Sequence, residues 1–313
     1  MNCSGINFFL RQFGYSFWGL FFGLALIQFA AADENPINTE GSFLFTKENG
    51  ERLRVTPYGY FMIRVQRLQK DESLLPDDHY EMVEHHDWPR EFELQDKPGF
   101  WRLVNFQHSP LQLHIDKKTL ALNFIQQEKT VLQEKNTWRD GSRLGVDFVA
   151  DKYEHFTGLG HSFYGREDSI DLRGKKIGRN YGSEPIEQAP LIVPFYLSSK
   201  GYGVFLNSTF TNEFHFATPE KDDGQKKNEG LEKGNKAYRY SMALDDQGFG
   251  GQLDYFFIAG PDLKTVLNHY TQLTGRPRLP AKAIFGLQLS DKGHDHESAT
   301  PSDQNWWQEK ISA

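Results

Sequence analysis

"LQLHIDKKTLALNFIQ", Leu111 to Gln126, decides the fold class. Apolar residues alternate with polar ones on both sides of Asp116-Lys117-Lys118, which reads as a hairpin joint. Alternation of period two places one face of each strand in a core and the other in water. The same patterning extends outward in both directions. Toward the N-terminus it runs through "GSFLFT", "RLRVTPYGYFMIRVQRL", "REFELQ" and "FWRLVNF", with a second joint at Lys47 to Gly50. Toward the C-terminus it continues in "KTVLQEKN", "HFTGLGHSFYG", "LIVPFYLSSKGYGVFLNST", "NEFHFATP", "KAYRYSMAL" and "GQLDYFFIAG". Short strands at this spacing, with no helical repeat between them, predict a mainly β chain built as a β-sandwich.

Composition supports that class and excludes others. The chain has 313 residues and a formal net charge of -7, with no Lys/Arg block, which argues against a nucleic-acid partner. Aromatics reach 14 %, a bias that suits pleated, half-buried faces and also suits stacking on the C–H faces of sugars. The lone cysteine, Cys3, rules out a disulfide framework. Residues 1–32 read as a secretory signal: Arg11 precedes the apolar run Phe17 to Phe29, and Ala30-Ala31-Ala32 follow. The expectation is an exported protein, periplasmic or secreted and bacterial, with no stable membrane span once the signal is cleaved; an uncleaved anchor is the alternative. The charged stretch Lys221 to Lys236 reads as a surface loop.

The period changes after residue 260. Asp262 to Thr274, "DLKTVLNHYTQLT", is apolar at Leu263, Val266, Leu267, Tyr270 and Leu273, which is helical spacing. Asp262 supplies a start signal and Gly275 a stop. Ala283 to Leu289 then reads as a buried strand, and Pro301-Ser302-Asp303 opens a second helix. Strand and helix in succession are the rhythm of a (β/α) barrel, which needs about 250 residues. Ile284 to Ala313 supplies 30, roughly one βα unit. The expected organisation is therefore a signal peptide (1–32), a β-sandwich (33–260), a linking helix (261–276) and the first unit of a truncated (β/α)8 barrel (277–313), the front portion of a longer protein.

Three stretches, "FTGLGHSFYGREDSIDLRG" (Phe156 to Gly174), "PLIVPFYLSSKGYGVFLNST" (Pro190 to Thr209) and "YFFIAGPDLKTVLNHYTQLTGRPRLPAKAIFGLQLS" (Tyr255 to Ser290), together resemble glycoside hydrolase family 31. None of their residues does chemistry. Gly158 and Gly160 flank Leu159 where a tight turn or bulge is wanted, and "GYGVFLN" is a core strand after a turn at Ser199-Lys200-Gly201. The resemblance implies a galactose-mutarotase-like sandwich followed by a catalytic (β/α)8 barrel. It also implies a retaining α-glycosidase of α-glucosidase, α-galactosidase or α-xylosidase type, with an α-linked oligosaccharide or glycoside as partner and no cofactor or metal. Two barrel aspartates do the chemistry in that family, one in a Trp-x-Asp-x-x-Glu context, and neither region occurs in this sequence. The chain as given is expected to be inactive.

The same resemblance implies that the loop Gly174 to Pro185 reaches the substrate pocket. Its candidates are Arg179, Asn180 and Tyr181. Arg179 stands where many α-glucosidases carry an aromatic, and Gly182 where they carry an aspartate, which departs from ordinary α-glucosidase specificity. Asp291 and Lys292, at the C-terminal end of the first barrel strand, are the other substrate-binding candidates. Trp138-Arg139-Asp140-Gly141 lacks the following Glu and reads as a surface turn, as does Asp245-Asp246. Glu167-Asp168 falls in a loop. The contiguous runs His85-His86-Asp87 and His294 to Glu297 lack the separated spacing of zinc ligands. The alternative of a different class is a non-catalytic carbohydrate-binding or structural β-sandwich module.

Overall fold

A computed structural model of the chain describes residues 36–105, 110–161, 171–178, 187–188, 191–219 and 238–286. The strands, in chain order, are β1 (Ile37–Thr39), β2 (Ser42–Thr46), β3 (Arg52–Tyr58), β4 (Met62–Leu68), β5 (Glu93–Lys97), β6 (Phe100–Val104), β7 (Leu111–Asp116), β8 (Leu122–Gln126) and β9 (Lys129–Asp140). They continue as β10 (Arg143–Ala150), β11 (Phe156–His161), β12 (Lys176–Gly178), β13 (Glu187–Gln188), β14 (Leu191–Ser198), β15 (Tyr202–Leu206), β16 (Thr211–Pro219), β17 (Tyr238–Asp245) and β18 (Leu253–Ala259). One helix, α1 (Leu263–Leu273), follows. The strands form two sheets, ordered β1-β2-β3-β4-β18-β15-β14-β11 and β13-β12-β16-β17-β10-β9-β8-β7-β6-β5.

The alternation in "LQLHIDKKTLALNFIQ" becomes the β7–β8 hairpin. Leu111, Leu113, Ile115, Leu122 and Phe124 are fully buried between the sheets, while Gln112, His114, Asn123 and Ile125 face outward. Asp116 builds the joint by accepting from the backbone of Lys118 and Thr119. A one-residue slip would turn every one of these apolar side chains to water, so burial fixes the register. β10, "RLGVDFVA", is a strand that the sequence reading did not single out. Its Leu144, Val146 and Phe148 point into the core, and Trp138 covers Gly145 on the other face.

Two polar groups sit between the sheets and tie them together. Glu134 of β9 pairs with Arg67 of β4 and accepts from the Tyr255 hydroxyl and, at 3.1 Å, from the Leu122 backbone. Glu154 accepts from Ser198 and Tyr202 at 2.6 Å each, and Tyr240 lies 2.9 Å from the Tyr202 hydroxyl. Burial holds the Tyr202 and Tyr240 hydroxyls well above the ordinary tyrosine range, so they remain protonated donors.

On the outer face of the eight-stranded sheet lies a third network. Arg64 (β4) meets Asp254 (β18) in a two-pronged contact at 3.0 and 2.7 Å, and both side chains are almost fully buried, 2 % and 4 % exposed. Asn207 also donates to Asp254, at 2.9 Å. Arg64 reaches Asp77 at 2.8 Å, which pins the segment between β4 and β5 across this face. A second apolar cluster forms here from Tyr58, Met62, Val83, Phe195, Phe205, Phe256 and Ile258 with Val266 and Leu273 of α1.

α1 starts where Asp262 accepts from the Thr265 backbone at 2.7 Å, and Gly275 leaves it with φ +83°. Only part of the apolar stripe is buried: Tyr270 stacks on Phe195 at 3.8 Å, whereas Leu263 and Leu267 are exposed. Beyond it, the buried strand expected from Ala283 is not formed over the described part of that run. Lys282–Phe285 is a 3-10 turn, with Ile284 57 % and Phe285 73 % exposed. A barrel strand is held by ladders on both sides, and no described strand pairs with this segment. Residues 287–313 lie outside the described residues.

The Gly158-Leu159-Gly160 bulge is real. The β11–β14 register jumps from Gly158–Tyr196 to Gly160–Ile192, opposite Pro194, which has no N–H for a ladder. Gly158 has φ +126°, and an added Cβ would come to 2.6 Å of the Phe195 carbonyl oxygen. Gly158→Ala should therefore cost at least about 2 kcal/mol in urea unfolding. Arg64→Met, which leaves Asp254 buried without its partner, should cost about 3–5 kcal/mol; a loss below about 1 kcal/mol would show that water reaches the pair.

Candidate functional site

The residues that the sequence marked for substrate, Arg179, Asn180, Tyr181, Asp291 and Lys292, lie outside the described residues, as do Glu167, Asp168 and the run His294 to Glu297. The frame on either side of 179–186 is described. β12 ends at Gly178 and β13 starts at Glu187, and the two pair in parallel at one edge of the ten-stranded sheet. β12 is held in turn by β16, with Lys176 opposite His215 and Gly178 opposite Glu213.

The outer face beside that edge is charged and cross-linked. Glu213 accepts from His215 at 2.6 Å and Arg143 at 3.0 Å, with Lys176 3.7 Å away. The His215 hydrogen bond, aided by these cations, holds the Glu213 carboxyl below its ordinary value. Trp138 lies on the same face over Gly145, where a Cβ would come to 2.5 Å of the indole, and it donates to Asp147 at 3.1 Å.

Asp171 organises the turn that leads into β12. It meets the His155 ring at 2.6 Å and accepts from the Phe156 and Arg173 backbones at 3.1 Å. Burial pushes its carboxyl up, but these donors outweigh that effect and leave it below the usual range. Arg173 donates to the carbonyls of Asp151 and Glu154, at 3.1 and 2.7 Å.

The buried carboxylates serve the fold. Glu134, Glu154 and Asp254 hold the networks above, Asp147 binds Trp138, and Asp246 caps Gly248 and Gly251 at 2.9 and 2.8 Å. Asp140 is an exposed residue where β9 turns into β10, and Asp245 accepts from Ser142 and the Gln247 backbone. Among the described residues no three His, Cys, Asp or Glu side chains converge as a metal site.

Three cavities line the described surface. One, about 270 Å³, lies among Arg52, Arg67, Glu72, Trp138 and Arg139. Another, about 290 Å³, opens on the outer face of the ten-stranded sheet among Phe100, Arg102, Gln112 and His114. Burial, with Arg102 nearby, lowers the His114 imidazole, which stays neutral. A third, about 680 Å³, is a groove between the C-terminal end of α1 and the segment 84–88, lined by Trp88 and Arg276 among others. Sequence reasoning weighed His85-His86-Asp87 only as metal ligands and missed this groove. Its one local signal was an indole directly after a polar run.

Residues 52–215 match the family model for the glycosyl hydrolase 31 N-terminal galactose mutarotase-like domain. The chain belongs to this family. It is 27 % identical to an isomaltosyltransferase of Sporosarcina globispora over 61 % of this chain and 17 % of that protein. It is 36 % identical to the α-xylosidase XylQ of Lactiplantibacillus pentosus over 50 % of this chain and 17 % of the relative. The chain thus spans about a sixth of the curated relatives it matches. Its fold is shared with a Flavobacterium johnsoniae GH31 dextranase complexed with glucose, at TM-score 0.61 and 20 % identity over 79 % of this chain and 29 % of the other. A cycloalternan-forming enzyme from Listeria monocytogenes in complex with a pentasaccharide substrate aligns at TM-score 0.57 and 20 % identity, over 76 % and 21 %.

The Glu213 cluster gives a pH test of the frame. A carboxyl depressed on folding adds stability above its ordinary value, near 4.5, and loses it as pH falls through the folded value. Glu213→Gln should therefore be less stable than the parent at pH 6, and the gap should close as pH falls toward 3 in urea titrations. A gap independent of pH would assign Glu213 a packing role only.

Proposed function

We propose that this chain is the N-terminal sandwich of an exported retaining α-glycosidase that takes terminal α-linked sugars. The observation that carries the reading is the match of residues 52–215 to the family's N-terminal domain. It is supported by relatives named as an α-xylosidase, α-glucosidases and an isomaltosyltransferase. Retaining cleavage uses two carboxyl groups about 5–5.5 Å apart, one attacking the anomeric carbon and one acting as acid and then base. The described buried carboxylates are already committed to arginine, tyrosine, serine, tryptophan and backbone donors. The work of this domain is positional. It presents 179–186 from two paired strands, so that Arg179 and Asn180 can bond sugar hydroxyls and Tyr181 can stack. Asp291 and Lys292 belong to the same pocket from the barrel side.

The first 32 residues act as an export signal in this reading. Among the described residues no helix is long and apolar enough to cross a membrane. A fusion of residues 1–40 to a reporter active only outside the cytoplasm should be active in a bacterial host, and an Arg11→Glu change should reduce its export.

The 313-residue chain should not turn over aryl α-glucosides, α-xylosides or α-galactosides. Activity on any of them that disappears when a residue of this chain is changed would overturn the assignment of a supporting role. The module reading draws on one feature, the closure of the sandwich between β4 and β18. Turnover cannot separate the two readings, but genomic sequence downstream of Ala313 can.

A further inference from the structure

The groove beside α1 has a built floor and a definite chemistry. Its position is fixed from both sides. The backbone N–H groups of Glu84 and His85 donate to the Leu273 carbonyl, at 3.0 and 3.2 Å, so the last turn of α1 holds the segment 84–88 in place. Trp88 donates from its ring nitrogen to the His85 carbonyl at 2.8 Å. Its indole rests against Gly59, where a Cβ would come to 3.0 Å of Cε3, and its other surface lines the groove. Arg276, beyond the helix end, is steadied by Asn268 of α1.

The lining separates ligand classes. Trp88 is the only apolar residue in its lining; the other side chains are Glu84, His85, His86, Asp87, Thr271, Gln272 and Arg276. A purely apolar ligand would make no hydrogen bond to this polar set. A polyanion would face two carboxylates against one guanidinium. A neutral polyol with one flat C–H face satisfies both features, stacking on the indole and exchanging hydrogen bonds with the planar side chains. Size agrees: ligand sites run about 300–1,000 Å³, and the groove holds about 680 Å³.

We infer that the Trp88 groove is a saccharide-binding site distinct from the loop 179–186, with Trp88 as the stacking platform and Gln272 and Arg276 as hydrogen-bonding groups. The α-configuration of its ligand rests on the family reading above; the presence of the site does not. The test is a titration of the 313-residue chain with maltotriose, isomaltotriose and cellotriose, followed by intrinsic fluorescence and calorimetry. The expected result is saturable millimolar binding that Trp88→Ala weakens about tenfold or more. Because Trp88 also packs on the sheet, Arg276→Ala and Gln272→Ala provide variants outside the core, expected to weaken binding with an unchanged unfolding midpoint. Trp138→Ala should leave binding as in the parent. Absence of saturable binding at about 10 mM ligand, or binding insensitive to all three groove variants, overturns the inference. Groove-dependent binding of cellotriose as strong as that of the α-linked sugars keeps the site and counts instead against the α-glycoside reading.

Discussion

The contact between Arg64 and Asp254 governs much of this molecule. It joins side chains 190 residues apart and locks the first long hairpin to the last strand of the sandwich. Taken out of water, neither charge is tolerable alone. Together, with Asn207, Tyr58 and Asp77 meeting the remaining lone pairs and N–H groups, they make β4 and β18 neighbours and no other pair. Everything on the outer face of the eight-stranded sheet follows. Asp77 brings the β4–β5 segment across that face, Val83 seats it on the apolar cluster, and α1 packs where Phe195 and Phe205 are left uncovered.

The ten-stranded sheet has a different logic. Its inner face is mostly apolar and aromatic, and its outer face is mostly polar, with Phe100, Ile125 and Trp138 among the exceptions. Glu134 points inward from this sheet and Glu154 enters from the β10–β11 connection, and both find donors on the opposite sheet. Such cross-sheet bonds constrain how the two layers slide, which dispersion contacts alone would leave loosely set. The edge that carries β12 and β13 is held to this sheet through β16.

Some of this was legible in residues. The alternation at Leu111 to Gln126, the bulge at Gly158 to Gly160, and the cap at Asp262 are short-range signals, because each depends on neighbours a few positions away. β10 keeps its alternation at Leu144, Val146 and Phe148, but Gly145 and Asp147 on its other face are poor strand formers that weaken the local signal. Both have reasons that only pairing reveals, since Trp138 needs the space above one and donates a hydrogen bond to the other. The run from Ala283 reads apolar in sequence, but a strand requires partners, and its described part turns instead.

The sequence by itself determined the class of fold, the family and the start and stop of α1, since period, turn chemistry and local motifs are properties of adjacent residues. Tertiary structure alone decided which strands close the sheets and which carboxylates are spent on stability. It also turned a polar run, an indole and a helix end into one groove. Those outcomes depend on burial and on charges brought together across long stretches of chain, where the free energy of a side chain is set by what surrounds it and not by what precedes it.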